Sequence, residues 1–224
     1  VCAERDPVYN TCNKYICADG SELPGEQNGP RSDCPNFEEE LFNKVDYIIN
    51  GGNCDIGLES TVVRVIDNIP HILRPGRITA EQLKSVAGDV IIDEHVLGKL
   101  EKNQKVLSPG MKYRHYAPQS KCILVYSKDN SKMVDKINEL LSEYENPVVI
   151  SCTENIEMYN TENKIDIGSK KNLEEISKNL FTDLRKVDKY NPDIVIIEGV
   201  EKSGIGLAIM NRLIRACEYN YIEI

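Results

Sequence analysis

The stretch Leu107–Pro118, which reads LSPGMKYRHYAP, is dense in side chains that can hydrogen-bond, stack or carry charge. Pro109-Gly110 predicts a turn and Pro118 stops any helix, so we expect an extended connector that lies open across a surface. Basic residues dominate this region of a chain whose formal net charge is -9: Lys102, Lys105, Lys112, Arg114 and Lys121, against Glu101. A basic strip in an acidic protein indicates a phosphate-bearing ligand, and the alternative is a solvated linker with ordinary lysines.

Two arginines flank a Pro-Gly turn in a second stretch, LRPGRIT at 73–79. Thr79 followed by Gln82 at the third helical position predicts a capping box, so a helix is expected to start there. A guanidinium beside the backbone N–H groups of a helix start binds anions, which makes Arg74 and Arg77 candidates to hold a phosphate. The alternative is a turn whose arginines are only solvated.

Short apolar runs rich in β-branched residues surround this turn and predict strands. They lie at 47–49, 61–66 and 71–73. Asp67-Asn68, followed by Pro70, fits a hairpin turn between two of them. Gly51-Gly52 and Gly57 would let the backbone approach a ligand closely. The sequence ahead of the connector is therefore expected to form sheet strands joined by tight turns.

After the connector, continuous apolar strands alternate with one-sided helical patterns, which is typical of a parallel sheet covered on both faces. The predicted strands are 123–126, 148–150 and 194–197, and the predicted helices run over 133–144, 173–187 and 207–217. This pattern predicts a Rossmann-like module. The glycines of the turn 198–206 match neither a Walker loop nor a dinucleotide fingerprint, so we interpret them as serving a tight turn and close helix packing.

Length and composition are sufficient for buried cores, since the chain has 224 residues of which 41% are hydrophobic. No apolar run approaches the roughly 18 residues of a membrane span, and Val1 opens no charged-then-apolar signal sequence. We therefore expect no membrane partner and no export of residues 45–224. The excess of acid argues against broad nucleic-acid binding, because phosphate backbones are held by clustered Lys and Arg.

Cysteines are unevenly distributed along the chain. Those of the first segment lie among Gly, Pro, Asn and Asp, which is typical of a disulfide-stapled or metal-binding unit: Cys2, Cys12, Cys17 and Cys34. The spacing is poor for zinc, because this segment has neither a Cys-x2-Cys pair nor a histidine, whereas four cysteines allow two bridges in any of three connectivities. The others stand singly among apolar residues, as structural core cysteines do: Cys54, Cys122, Cys152 and Cys217.

Four sequence blocks, in this order, closely resemble the threonylcarbamoyl-AMP synthase family in its long two-domain form, whose catalytic part is YrdC-like. They are ESTVV at 59–63, LRPGRIT at 73–79, SPGMKYRHYAP at 108–118 and GIGLAIMNRLIRA at 204–216. The likeness is expected to cover about residues 45–224 only. It implies an α/β fold: the C-terminal part of a YrdC-like twisted α/β sheet domain, joined by an extended linker to a small Rossmann-like parallel-sheet domain.

The resemblance implies a cytoplasmic nucleotidyltransferase-type enzyme that joins L-threonine, bicarbonate and ATP into threonylcarbamoyl-AMP and releases pyrophosphate. A magnesium ion is expected with the ATP, and the product is expected to pass to a tRNA threonylcarbamoyl transferase. By similarity, Ser60 binds the threonine, Arg74 contacts the nucleotide phosphates, and Tyr113, His115 and Tyr116 cover the adenylate. No catalytic residue and no metal ligand is assigned, because the fitting mechanism is positioning with charge stabilisation on the phosphates.

One departure from the family concerns the front of the chain. The family carries a Lys-x-Arg pair and a Ser/Thr-Asn motif early in its catalytic domain, and residues 1–44 supply neither. We therefore divide the chain into an unassigned Cys-rich segment 1–44, the last part of the catalytic domain 45–106, the linker 107–120 and the Rossmann-like domain 121–224. The chain alone is expected to be inactive. The alternatives are a non-catalytic nucleotide-binding or regulatory module, and a small secreted cysteine-rich domain fused ahead of the family sequence.

Overall fold

The computed structural model describes residues 57–98 and 117–224, together with the backbone of three strands near the start of the chain. The chain divides into two compact units, Val1–Asp55 and Ile56–Ile224. In the first unit, an antiparallel sheet has the order β1-β2-β3, with β1 at Cys2–Arg5, β2 at Cys12–Ile16 and β3 at Glu22–Pro24. The predicted strand at 47–49 and the connector at 107–116 lie outside the described residues.

Residues 57–98, which we call the front segment, form a small sheet with one helix. Strands β4 (Val62–Ile66) and β5 (Ile69–Arg74) pair antiparallel, and the two-residue β6 (Ile91–Ile92) runs parallel to β5. The predicted hairpin turn is confirmed, because Asp67 and Asn68 adopt φ values of 49° and 62°, which Asn and Asp tolerate better than most residues.

Helix α1 (Ala80–Ala87) begins with the predicted capping box. The hydroxyl of Thr79 accepts from the backbone N–H of Gln82 at 3.3 Å, and the Gln82 side chain accepts from the backbone N–H of Thr79 at 2.9 Å. Two of the N–H groups that a helix start leaves without intrahelical partners are thus satisfied. A 3-10 helix at Glu94–Val96 ends the front segment's regular structure.

Residues 117–224, which we call the C-terminal module, form the predicted parallel α/β sheet. In chain order its elements are β7 (Cys122–Tyr126), α2 (Asn130–Leu141), β8 (Pro147–Ser151), a 3-10 helix (Ile156–Met158), β9 (Lys164–Asp166), α3 (Leu173–Lys186), a 3-10 helix (Val187–Tyr190), β10 (Ile194–Glu198), α4 (Ile205–Ala216) and β11 (Tyr221–Glu223). The sheet order is β11-β7-β10-β8-β9, and all neighbouring strands are parallel.

Apolar cores cover both faces of this sheet, as the sequence predicts. Leu124, Ile150 and Ile197 belong to the core shared with α3 and α4, whereas their neighbours Val125 and Val149 belong to the core shared with α2. Successive side chains of a strand point to opposite faces, so every central strand contributes to both cores. This explains why the central strands read as continuous apolar runs.

The turn between β10 and α4 packs closely, which supports the structural interpretation of its glycines. A Cβ at Gly206 would lie 2.0 Å from the carbonyl oxygen of Glu201, and Gly204 has a φ of +56°. A side chain at Gly206 would require backbone movement, whereas one at Gly204 has room but would be strained by the positive φ.

A buried carboxylate lies where β10 ends. Glu198 has a fully buried side chain, and its Oε1 accepts from Lys170 Nζ at 2.6 Å and from Asn155 Nδ2 at 2.7 Å. Its Oε2 accepts from Ser151 Oγ at 2.6 Å and from Tyr159 Oη at 3.0 Å. These bonds link the ends of β8 and β10 and compensate a charge that would otherwise be costly to bury.

Cys122, Cys152 and Cys217 are buried as thiols, which confirms their predicted structural role. Cys17, Cys34 and Cys54 lie outside the described residues, and only the backbone of Cys2 and Cys12 is described, so disulfide pairing stays a prediction. None of the helices in the described part of the chain combines the length and apolar character needed to cross a membrane.

Candidate functional site

Two residues predicted from the sequence meet in the front segment. Arg74, the last residue of β5, donates from Nε to the carbonyl oxygen of Ser60 at 3.1 Å and from Nη2 to the Ser60 hydroxyl at 3.3 Å. Ser60 is exposed and lies just ahead of β4. The turn arginine and the hydroxyl that is predicted to bind threonine are therefore in direct contact.

The neighbour of Ser60 is held from the C-terminal module. Arg212 of α4 donates from Nε to the carboxylate of Glu59 at 2.8 Å, and from Nη1 to the carbonyl oxygen of Pro75 at 2.9 Å. Within the described part of the chain, the buried Nη2 of Arg212 has no hydrogen-bond partner. Helix α4 thus reaches both the segment before β4 and the turn after β5.

Asn211 strengthens the same contact. Its side-chain oxygen accepts from Arg212 Nη1 at 2.6 Å, and its amide nitrogen donates to the carbonyl oxygen of Val96 in the 3-10 helix. Both side chains are buried in a helix that is otherwise mostly apolar, and buried polar groups need such partners.

Two glycines pack closely against backbone atoms near Ser60. A Cβ at Gly76 would lie 2.4 Å from the carbonyl oxygen of Glu59 and 2.5 Å from the backbone nitrogen of Thr61. A Cβ at Gly57 would lie 2.7 Å from the carbonyl oxygens of Ser177 and Lys178 in α3. Glycine is therefore required at both positions. The prediction that Gly57 lets the backbone approach a ligand is wrong, because Gly57 packs on the backbone of α3. Gly51 and Gly52 lie outside the described residues.

Electrostatic interactions link the charged groups of this site. Burial would raise the pKa of Glu59, but the charge of Arg212, hydrogen bonds to the carboxylate and the charge of Arg74 together hold that pKa below its usual 4.5. Burial lowers the pKa of Arg212, and Glu59 opposes this effect. Burial also lowers the pKa of Arg215, on which both Glu59 and Arg74 act. The site thus concentrates guanidinium groups, which suit an anionic ligand.

The remaining predicted site residues are placed differently. Arg77 is exposed on the turn before α1. Tyr113, His115 and Tyr116 lie outside the described residues, so their role stays a prediction. Glu59 and Arg212 were not assigned a role from the sequence, although Asn211-Arg212 within the apolar run 205–214 was an available signal, because buried polar residues in such runs need partners.

A family model described as Threonylcarbamoyl-AMP synthase, C-terminal domain, matches residues 78–217, which is more than half of the chain. The chain belongs to the threonylcarbamoyl-AMP synthase family. A second model, for the Sua5, YciO and YrdC proteins and described as Telomere recombination, matches residues 11–76. This match begins ahead of residue 45, where the likeness was expected to begin, because the recognisable blocks all lie at residue 59 or later and could not locate its start.

Curated members of the family are similar over most of the chain. The threonylcarbamoyl-AMP synthase of Pyrococcus abyssi is 37% identical over 186 residues, which cover 83% of this chain and 53% of that protein. The threonylcarbamoyl-AMP synthase of Bacillus subtilis is 33% identical over 205 residues, which cover 90% of this chain and 56% of that protein. The chain therefore spans about half the length of the curated relatives it matches.

Solved structures from Pyrococcus abyssi give the same result for the fold. The crystal structure of its Sua5 complexed with L-threonine matches with a TM-score of 0.70 and 37% identity, over 82% of this chain and 53% of that chain. A variant of that protein, in which a histidine and the tyrosine after it are replaced by alanine, matches with a TM-score of 0.70 and 36% identity, over 82% of this chain and 52% of that chain. The predicted α/β fold of this family is confirmed.

Proposed function

We propose that the chain takes part in the synthesis of threonylcarbamoyl-AMP from L-threonine, bicarbonate and ATP, with release of pyrophosphate. The observation that carries this proposal is the contact between the Ser60 hydroxyl and the Arg74 guanidinium, in a chain of the family that is named for this product. The likeness to a structure complexed with L-threonine supports the choice of amino acid.

Ser60 is proposed to bind the threonine and Arg74 to contact the ATP phosphates. The Ser60 hydroxyl accepts from Arg74 Nη2, so its own proton is available to a carboxylate, and the residue is exposed to a ligand. A guanidinium fork suits phosphate oxygens. The buried Nη2 of Arg212, for which the described residues supply no acceptor, is a further donor in the same cluster.

The chemistry asks for positioning and charge stabilisation rather than a covalent nucleophile. Threonine and bicarbonate first condense to a carbamate, with loss of water. An oxygen of this carbamate then forms a bond to the α-phosphorus of ATP while the bond to the pyrophosphate oxygen breaks. Negative charge grows on the departing phosphates, so arginine side chains fixed beside them lower the barrier.

The connector is proposed to cover the adenylate through Tyr113, His115 and Tyr116. In the chain, a histidine directly followed by a tyrosine occurs at 115–116. A similar solved structure carries alanine in place of a histidine and the tyrosine that follows it, which supports a functional role for such a pair. Magnesium enters as part of the MgATP substrate, since Mg²⁺ in such sites is bound largely by phosphate oxygens and water.

The recipient of the product, the cellular compartment and the domain division are also proposals. The product would pass to a tRNA threonylcarbamoyl transferase in the cytoplasm, without direct tRNA binding by this chain. The division into residues 1–44, 45–106, 107–120 and 121–224 also stays part of the proposal.

Calorimetric titration with L-threonine tests the binding role. We expect the chain to bind L-threonine, and we expect Ser60→Ala to weaken that affinity by about three- to tenfold, because a net hydrogen bond contributes about 0.5–1.5 kcal/mol. Ser131→Ala, at an exposed serine of α2, is the matched control and should bind like the parent chain. Absence of threonine binding by the folded chain would contradict the proposal.

Turnover is a separate question from binding. Threonine-dependent pyrophosphate release by the 224-residue chain is expected at background, because the Lys-x-Arg pair of the catalytic domain is not found ahead of residue 45. Robust release would show instead that the residues ahead of 45, most of which fall within the second family model, supply the other half of the catalytic site.

A further inference from the structure

We propose that Arg212, on helix α4, is a positioning residue for Ser60, so that the C-terminal module completes the threonine site of the front segment. This inference rests on the proposed function, in which Ser60 binds L-threonine. It assigns a role to a buried contact between the C-terminal module and the front segment.

The first step is that two consecutive residues are held by two different arginines. Arg74 donates to the carbonyl oxygen and hydroxyl of Ser60. Arg212 donates to the carboxylate of Glu59 at 2.8 Å. Because Glu59 and Ser60 share a planar peptide unit, a tethered Glu59 side chain limits how far the backbone that carries the Ser60 side chain can move.

The second step is that Arg212 has one fixed orientation. The residue is only 7% exposed, and its Nη1 donates to the carbonyl oxygen of Pro75 and to the side chain of Asn211. Asn211 in turn donates to the carbonyl oxygen of Val96. Pro75 directly follows Arg74, so a single guanidinium fixes both partners of the Ser60–Arg74 contact relative to each other.

The third step is that the backbone around Ser60 packs against both the turn after β5 and the C-terminal module. Gly76 packs on the backbone of Glu59 and Thr61, and Gly57 packs on the carbonyl oxygens of α3. Leu58 packs against the larger core of the C-terminal module. The segment 57–61 therefore lies between the turn after β5 and helices of the C-terminal module.

A purely structural ion pair would behave differently from a positioning contact. If Arg212 only stabilised the fold, its replacement would lower the free energy of unfolding but leave the affinity of the remaining folded protein for threonine unchanged. If Arg212 positions Ser60, the folded variant itself binds threonine more weakly. Affinity and stability must therefore be measured on the same variants.

The test compares the parent chain with Arg212→Met, Arg212→Lys and Lys132→Met in calorimetric titrations with L-threonine. Methionine retains an apolar stem but no donor, whereas lysine retains the charge but cannot reach Glu59 and Pro75 together. We expect Arg212→Met to weaken the affinity by about tenfold or more, with partial rescue by Arg212→Lys, because a charged hydrogen bond is involved. Lys132→Met removes an exposed charge from α2 and should bind threonine like the parent chain.

Amide hydrogen exchange of Ser60 and Thr61, measured without ligand, separates this inference from the proposed function. We expect exchange in folded Arg212→Met to be about tenfold faster or more, and unchanged in Lys132→Met. If the parent chain fails to bind threonine, the proposed function fails while the exchange rates still decide whether Arg212 orders the segment. Unchanged affinity and unchanged exchange in folded Arg212→Met would overturn the positioning role.

Discussion

Arg212 donates a 2.8 Å hydrogen bond to the carboxylate of Glu59, although the two residues are 153 positions apart in the chain. The arginine side chain is 6% exposed and that of Glu59 is 38% exposed. The pair therefore joins a buried cation of α4 to a partly solvated anion beside Ser60. Removal of Glu59 would leave the buried charge of Arg212 uncompensated. The loss of stability should therefore exceed that caused by breaking an exposed ion pair.

The pH dependence of stability should report this pair. The pKa of Glu59 is lowered in the folded chain, so its contribution is present above the usual value of 4.5 and is lost as the pH falls through the lower folded pKa. Urea unfolding of the parent chain and of Glu59→Gln between pH 7 and pH 3 should give free energies of unfolding that converge at the acid end. Parallel curves would mean that solvent screens the pair completely.

Replacement of Glu198 should be far more costly than replacement of an exposed glutamate. Glu198→Gln removes the negative charge that pairs with Lys170. It also replaces one carboxylate oxygen with an NH2 group, which would face side chains that are themselves donors. We expect the free energy of unfolding to fall by about 3–5 kcal/mol, as when one partner of a buried ion pair is removed. The matched control is Glu139→Gln, in an exposed pair with Lys136, for which a loss of about 0.5 kcal/mol or less is expected. Similar losses in both variants would refute the assigned importance of the network.

Gly76→Ala should destabilise the front segment through a backbone clash. The added Cβ would lie 2.4 Å from the carbonyl oxygen of Glu59, and neither atom belongs to a flexible side chain. A loss of about 1–3 kcal/mol is expected by thermal or urea unfolding, as for overpacking. Gly88→Ala is the control, since nothing lies within 4 Å of its Cβ and only its φ of +83° opposes alanine. Gly76→Ala should also weaken threonine binding, which Gly88→Ala should leave unchanged.

Local signals in the sequence predicted the local structure well. Thr79 with Gln82 predicted the start of α1, Asp67-Asn68 predicted the hairpin, and the apolar run at 194–197 predicted β10. These signals work because a cap, a turn and a two-faced strand depend on residues close together in the chain. Edge strands β9 and β11 were missed, because each is three residues long and lacks a continuous apolar run.

Only half of the site could be predicted, because the other half depends on residues that are far apart in the chain. Arg74 was found from its place in the turn before a helix start and Ser60 through a family motif, and the structure brings them into contact. The pairing of Glu59 with Arg212 depends on how α4 packs against the front segment, and no periodicity in the sequence carries that information. A charged residue in the apolar run of α4 indicates that a buried partner exists, but it does not say which residue that partner is.

The cysteines should separate into two chemical classes. Cys122, Cys152 and Cys217 are buried, and burial together with the charge of Glu198 raises the pKa of Cys152. These thiols should react slowly with iodoacetamide in the folded chain and quickly in urea, because the thiolate is the reactive form.

Mass spectrometry of non-reduced digests should find disulfides only within the front cysteine group: Cys2, Cys12, Cys17 and Cys34. A count of eight thiols would contradict the stapled interpretation.

Nucleotide binding should close the connector over the site, and Arg74 should be needed for this. ATP phosphates are proposed to contact Arg74, while the connector covers the adenylate, so the two contacts depend on the same bound molecule. Trypsin cleavage after Arg114 should therefore slow when ATP is added. Arg74→Ala should abolish that protection, because a charged hydrogen bond to phosphate contributes about 1.5–3 kcal/mol. Arg64→Ala, at an exposed arginine of β4, is the matched control and should retain protection. If ATP leaves cleavage after Arg114 unchanged in the folded chain, the connector does not act as a lid and its basic residues are those of a solvated linker.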